Sequence, residues 1–171
     1  MCSSDLEDAY AKQDFLSALS GEIWFEYTPH PSSLRLSRGA TEQTGLPSMI
    51  DLDNFKEIND RFGHPAGDAA LFHAAQTMRS MLRSGDELVR YGGDEFFLLF
   101  HGLPAHVLAR KLEDICRAVA ALTIPEYPDL HLSLSIGGAY GSARVSELVG
   151  KADLALYRAK RTKNCAVVYE E

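Results

Sequence analysis

The hydrophobic residues of this chain recur at two spacings along most of its 171 residues. Spacings of three and four place apolar side chains on one face of a helix, and alternation places them on one face of a strand. Helical and strand-like runs alternate, which predicts an α/β domain. The predicted helices cover residues 6–19, 53–61, 68–82, 104–122 and 145–161. The predicted strands cover residues 23–27, 48–50, 87–91, 95–100, 130–136 and 166–169.

Glycine and proline mark the expected connections between these elements. Residues 62–68 read FGHPAGD, which predicts a loop whose last residue, Asp68, can cap the next helix. Gly92 and Gly93 separate two strand-like runs, so a hairpin turn with positive φ angles is expected there. Residues 34–47 show no clear period, and their structure stays open.

Composition and charge narrow the class of protein. The length fits one domain, and a formal net charge of −7 argues against a nucleic-acid surface, which needs clustered Lys and Arg. The cysteines, Cys2, Cys116 and Cys165, form no Cys-x-x-Cys pair, so we expect a reducing cytoplasm. The chain starts with an acidic stretch, and its densest apolar run, residues 96–100, is too short to cross a bilayer, so no membrane segment is expected.

Acidic residues gather at three places where a fold does not require them. A strand-to-helix junction, a Gly-rich loop and a hairpin turn carry Asp51, Asp53, Asp68, Asp94 and Glu95. Carboxylates at strand ends are hard oxygen ligands that suit Mg²⁺, which in turn often binds substrate phosphates. Lys56 follows the first acidic pair by about one helical turn and can place a positive charge on a phosphate.

Plainer interpretations exist for each of these residues. Asp51 and Asp53 can simply favour the N-terminus of a helix, and Lys160 can complement the C-terminus of another. Asp68 can be only an N-cap, and the hairpin carboxylates can be only solvated turn residues. These interpretations do not explain why the acidic sites occur together with the sequence blocks described next.

Four blocks resemble the GGDEF family of diguanylate cyclases, in the family's order and at compatible spacing. Residues 51–60 read DLDNFKEIND, and FGH and GD follow at 62–64 and 67–68. Residues 90–96 read RYGGDEF, which contains the motif that names the family. SIG at 135–137 and ADLALYRAK at 152–160 are similar to later blocks, so the resemblance covers about residues 48–169.

The resemblance implies a fold and a reaction. The fold is an α+β, nucleotidyl-cyclase-like palm, with a mostly antiparallel central sheet flanked by helices. The reaction is the condensation of two GTP molecules to cyclic di-GMP with release of pyrophosphate. Because one site holds one GTP, this chemistry needs two domains face to face, which implies a C2 homodimer.

The resemblance also assigns roles to individual residues. It implies a Mg²⁺ site, which Mn²⁺ can also fill, made by Asp51, the carbonyl of Leu52 and Asp94. It also implies a catalytic group made of Asp94, which is the candidate base, Glu95 and Lys56. For GTP, it implies that Asn59 and Asp68 recognise guanine and that the phosphates approach the backbone closely at Gly92 and Gly93. Lys160 would neutralise charge on the phosphates.

A second site and a second function remain open. Arg83 and Asp86 match the family's R-x-x-D inhibitory motif, which implies binding of cyclic di-GMP as product inhibitor, although chance easily supplies so short a pattern. The alternative to an active cyclase is a catalytically silent module that binds GTP or cyclic di-GMP and regulates a neighbouring domain.

The chain departs from the family pattern at both ends. TGLP at 44–47 lies too close to Asp51 for the usual intervening helix. Either the helix at 6–19 replaces it, or residues 13–47 are a remnant of a PAS-like sensory segment; we therefore divide the chain into an N-terminal region, 1–47, and a GGDEF domain, 48–171. After Lys160 the family typically has Gly-Arg-Asn, but this chain is one residue shorter there. Either Arg161 or Lys163 can supply the cation that the family's Arg provides.

Overall fold

The computed structural model describes residues 45–90 and 92–170. The predicted elements at 6–19 and 23–27 lie outside these residues. Nine elements follow in the described part of the chain. They are β1 Gly45–Leu52, α1 Phe55–Phe62, α2 His64–Ser80, β2 Glu87–Arg90, β3 Glu95–His101, α3 Ala105–Ala120, β4 Leu134–Tyr140, α4 Val145–Thr162 and β5 Cys165–Glu170.

The strands form one sheet in the order β2-β3-β1-β4-β5. β1 pairs antiparallel with β3 and with β4, β2 pairs antiparallel with β3, and only the β4–β5 pair is parallel. The predicted α+β palm, with a mostly antiparallel sheet flanked by helices, is confirmed. No helix within the described residues is long and apolar enough to cross a membrane.

Alternating side chains of the central strands build a core on each face of the sheet. In β3, Phe96, Leu98 and Phe100 pack on the face covered by α1, α2 and α3. Phe97 and Leu99 pack on the opposite face, where α4 lies. Since successive strand residues point to opposite faces, the parity of each residue decides which helix it meets.

Two sequence predictions about breakers were wrong. The loop expected at 62–68 is largely helix, because α2 begins at His64 with Pro65 in its first turn, where the missing N–H costs nothing. Asp68 therefore lies inside α2 and is not its N-cap. The strand expected at 130–136 is displaced to Leu134–Tyr140 and includes two glycines.

Gly137 lies inside β4 at a position where no side chain fits. A Cβ atom at this position would lie 2.0 Å from the backbone nitrogen of Leu156 and 2.2 Å from the carbonyl oxygen of Ala152. The glycine is therefore the point at which α4 packs directly on the sheet, and not a strand terminator. This close packing fixes α4 relative to β1, which matters for the site.

Candidate functional site

Asp51 lies near the end of β1, and its parity directs it to the α4 face of the sheet. It shares this face with Met49, and in the register of the sheet it lies opposite Glu95 of β3. Its side chain is 11% exposed, and its Oδ2 is 2.6 Å from Nζ of Lys160 on α4. Strand parity and helix packing therefore bring the first acidic block and the last basic block of the sequence together.

The electrostatics of this group are dominated by burial. Burial raises the pKa of Asp51 to about 6, against the lowering effect of the Lys160 hydrogen bond, and the Asp94 carboxylate raises it further. Burial also raises the pKa of Asp94, with a smaller contribution from Glu95. Burial lowers the pKa of Lys160, but the hydrogen bond to Asp51 and the negative charges of Asp51, Glu95 and Asp94 together outweigh burial, so the net direction is upward.

The hairpin carries Asp94 beside the end of β1. The backbone nitrogen of Leu52 donates to the carbonyl oxygen of Asp94 at 3.1 Å. Arg90 donates through Nε and Nη2 to the carbonyl oxygen of Gly93, at 3.1 and 2.6 Å, which braces the turn from within. Positive φ angles at Gly92 and Gly93 were expected, and this prediction is wrong, since the glycines with positive φ within the described residues are Gly63 and Gly102. Gly93 is exposed, with open space where a Cβ would lie.

Gly92 and Glu95 are tightly packed against each other. A Cβ atom at Gly92 would lie 2.6 Å from Oε2 of Glu95. The first glycine of the motif therefore makes room for the Glu95 carboxylate, whereas Gly93 leaves the tip of the turn open.

The donor set fits a divalent cation shared with substrate. Asp51 and Asp94 are two partly buried carboxylates; burial raises the pKa of both, and the charge of Asp94 raises that of Asp51 further. A cation between them would favour the ionised form of each. Among the described residues, no group of three or more His, Cys, Asp and Glu side chains can hold a metal by itself. Mg²⁺ is commonly bound by only one or two carboxylates, with water and substrate phosphate oxygens as its other ligands.

Asp53 has a different role from its neighbour Asp51. Its carboxylate accepts hydrogen bonds from Oγ of Ser133 at 2.7 Å, from Oγ of Ser135 at 2.6 Å and from the backbone nitrogen of Asn164 at 2.9 Å. The residue is 5% exposed. The sequence grouped it with the candidate Mg²⁺ ligands, but its oxygens are already engaged by protein donors.

Cations lie on both sides of the turn that follows β1. Lys163 donates from Nζ to Oδ1 of Asn54, the residue just before α1. Lys56 is exposed on the first turn of α1, and Arg161 is exposed on α4. Of the two cations that the sequence left open, Lys163 is the one with a contact at this turn.

The candidate guanine-binding residues meet where α1 packs on α2. A Cβ atom at Gly67 would lie 2.0 Å from Oδ1 of Asn59, so the amide of Asn59 lies directly over this glycine. Asp68 is the next residue and is exposed. Gly67 thus permits the close approach that places Asn59 beside Asp68, a role that its place in an expected loop did not suggest.

The R-x-x-D residues lie at the other end of the β2–β3 hairpin. Asp86 is 6% exposed and accepts from the backbone nitrogens of Arg83 at 3.0 Å and His101 at 3.2 Å. Arg83 is exposed, and both residues line a small cavity with His101 and Lys111. The Asp86 carboxylate shapes this loop, while the guanidinium of Arg83 faces outward to solvent.

The structure therefore brings most of the predicted residues into one region. Asp51, Asp94, Glu95 and Lys160 converge at one end of the sheet, and Arg83 and Asp86 form a separate group. Sequence reasoning missed the bracing role of Arg90 and the hydrogen-bonding role of Asp53. Arg90 belongs to the RYGGDEF block, but nothing in the sequence predicts that its side chain contacts Gly93.

Comparison with known proteins agrees with this geometry. The family model "Diguanylate cyclase, GGDEF domain" matches residues 11–165. Diguanylate cyclase DgcM of Escherichia coli K12 is 34% identical over 150 residues, which cover 88% of this chain but only 36% of that protein. The chain thus spans about a third of the length of this relative.

Solved structures show the same fold. The GGDEF domain of TpbB from Pseudomonas aeruginosa is 37% identical with a TM-score of 0.68, covering 76% of this chain and 84% of that one. The GGDEF domain of DgcB from Caulobacter crescentus, in complex with c-di-GMP, is 28% identical with a TM-score of 0.66, covering 72% and 77%. With the family model spanning most of the sequence, the chain belongs to the diguanylate cyclase GGDEF-domain family.

Proposed function

We propose that this chain is a Mg²⁺-dependent diguanylate cyclase that condenses two GTP molecules to cyclic di-GMP and pyrophosphate. The observation that carries the proposal is the meeting of Asp51, Asp94 and Lys160 at one end of the sheet. Two carboxylates for a cation and one ammonium for phosphate oxygens are the groups that phosphoryl transfer requires. A purely structural role does not explain why charged groups are desolvated together here.

Asp51, the carbonyl of Leu52 and Asp94 would hold the metal, either Mg²⁺ or Mn²⁺. The metal, when bound, polarises the phosphoryl oxygens and steadies the pyrophosphate leaving group. Asp94 is also the candidate base that accepts the proton of the attacking ribose 3′-hydroxyl. Glu95 supplies a second carboxylate beside it.

The remaining residues bind and orient GTP. The carboxylate of Asp68 accepts from the N–H donors of guanine, and Asn59 contacts the same base edge. Lys56 and Lys160 neutralise charge on the phosphate oxygens. The open tip at Gly93, together with Gly92, lets the phosphates approach the backbone.

The reaction requires a homodimer, since each domain presents one GTP to the other. Cyclic di-GMP inhibits by binding at Arg83, whose guanidinium is free to form a bidentate contact with phosphate or guanine. Asp86 contributes by holding the loop that presents Arg83. A cytoplasmic location follows from the need for GTP, and the division of the chain at residues 47 and 48 stays a prediction.

A product assay tests the proposal. The chain is incubated with GTP and Mg²⁺ at concentrations where light scattering shows a dimer, and products are separated by chromatography. We expect cyclic di-GMP from the wild type and none from Asp94→Ala with its fold retained by circular dichroism. A dimeric wild type that binds GTP but forms no cyclic di-GMP would instead make the chain a silent binding module.

A further inference from the structure

The C-terminal turn of α4 is tied to the turn after β1 by three consecutive contacts. Lys160 pairs with Asp51, Lys163 donates to Asn54, and the backbone nitrogen of Asn164 donates to Asp53. These contacts join segments more than one hundred residues apart in sequence. Together they form what we call the clasp, consisting of residues 51–54 on one side and 160–164 on the other.

The clasp contains the most constrained backbone of the described chain. Asn54, Lys163 and Asn164 have φ angles of 57°, 61° and 46°, and within the described residues they are the non-glycine residues with positive φ. Lys163 also has ψ of 165°, a combination that is favourable essentially only for glycine. Such conformations persist only where surrounding contacts hold them, and they cluster at functional sites.

Asp53 is the buried centre of this arrangement. Its two carboxylate oxygens take donors from β4 through Ser133 and Ser135, and from the turn after α4 through Asn164. A buried carboxylate is stable only when its charge is met by such donors. The same side chain therefore connects three segments: the end of β1, the start of β4 and the end of α4.

We propose that Asp53 is a positioning residue for the transfer reaction: it fixes the end of α4 so that Lys160 is held against the catalytic end of β1. The proposal rests on the proposed function. Asp53 itself has no need to touch substrate or metal, since protein donors occupy its oxygens. Its effect on activity passes through Lys160, which is 42% exposed and needs a fixed backbone to keep one position.

The first test is spectroscopic and does not depend on activity. In ¹H–¹⁵N spectra of lysine ammonium groups, Lys160→Met identifies the Lys160 signal. In the wild type we expect the ammonium protons of Lys160 to exchange slowly with water, so that the signal is observed. In Asp53→Asn we expect the signal to disappear or to move to the position of a free lysine. Val119→Ala, a destabilising change in the core under α3, should keep it. An unchanged Lys160 signal in folded Asp53→Asn overturns the proposal.

The second test is a double-mutant cycle on cyclic di-GMP formation. We expect Asp53→Asn to lower kcat about tenfold and Lys160→Met about a hundredfold, with the double variant no worse than Lys160→Met, because residues that act as a unit are non-additive. Multiplying effects would mean that Asp53 acts independently of Lys160, and an equal loss of kcat in Val119→Ala would mean that Asp53 acts only on stability; either result overturns the proposal.

Folding and function are kept separate in this design. If Asp53→Asn does not fold, both tests are run on wild type and variants in sucrose, which stabilises the folded state without changing a residue of the clasp. If the wild type forms no product, the proposed function fails, while the ammonium spectra still decide whether Asp53 positions Lys160.

Discussion

Asp51→Asn should raise the free energy of unfolding of the metal-free protein. The same change should abolish cyclic di-GMP formation when Mg²⁺ and GTP are supplied. Burial raises the pKa of Asp51 from its ordinary 3.8 to about 6. The folded chain therefore binds this proton more tightly than the unfolded chain does. The stability due to this group is highest when it is protonated and declines as the pH rises from 3.8 through about 6.

The magnitude follows from the size of this shift. A difference of about two pKa units corresponds to about 3 kcal/mol of penalty for keeping the carboxylate ionised in the fold. Asparagine has nearly the same shape as aspartate and removes the charge, so the penalty disappears. Lys160 loses its partner, but its side chain can turn to solvent, so the loss is smaller than the gain. We expect a net gain of about 2 kcal/mol at pH 7.5, which raises the unfolding temperature by about 5 °C.

Thermal unfolding in EDTA measures this difference. Wild type and Asp51→Asn are compared at pH 7.5 and at pH 4.5, with Asp129→Asn as an exposed control. The advantage of Asp51→Asn should be largest at pH 7.5 and fall to about a third of that value at pH 4.5, where the folded wild-type carboxyl is mostly protonated. Mg²⁺ with GTP should raise the unfolding temperature of the wild type more than that of the variant.

Three results would refute this reasoning. If Asp51→Asn is less stable than wild type at pH 7.5, the ion pair with Lys160 outweighs burial. If its advantage is equal at both pH values, the gain does not come from the ionisation of Asp51. A shift of similar size in Asp129→Asn would point to the net charge of the protein and not to this site.

Three further changes test the packing around the site. Gly137→Ala should lose about 3 kcal/mol or more in chemical denaturation, because its Cβ would lie within 2.2 Å of the α4 backbone. Gly67→Ala should raise KM for GTP about tenfold with less effect on kcat, since the methyl group displaces Asn59; an unchanged KM would remove Asn59 from guanine binding. Arg90→Met should lower kcat about tenfold while the unfolding temperature changes little, because the turn loses its internal brace.

Much of the fold was predictable because its elements follow simple periods. The apolar stripes of α3 and α4 and the strand pair around the GGDEF motif appear at nearly the predicted positions. The predictions were wrong for residues 62–68 and 130–136, where glycine or proline lies inside a helix or strand and does not form a turn. Gly137 lies against the backbone of α4, and Gly67 lies under Asn59 of the preceding helix; the period within one element carries no information about such contacts between elements.

The site was predictable as a set of residues but not as an arrangement. Motif blocks indicated Asp51, Asp94 and Lys160, and strand parity with helix packing then explains why they meet. The same blocks gave Asp53 the appearance of a second metal ligand. Only the positions of Ser133, Ser135 and Asn164 show that its carboxylate is fully engaged elsewhere.

The turn after α4 shows how a missing residue can be accommodated. The resemblance to the family implies Gly-Arg-Asn here, whereas this chain is one residue shorter and has Lys163 in a left-handed conformation that costs about 1–3 kcal/mol. Charge-assisted hydrogen bonds to buried or partly buried acceptors offset costs of that size. The bond from Asn164 to Asp53 and the contact of Lys163 with Asn54 supply them at this turn. Shortening the turn therefore makes the position of Lys160 depend more heavily on Asp53, because no glycine remains to let the backbone relax without it.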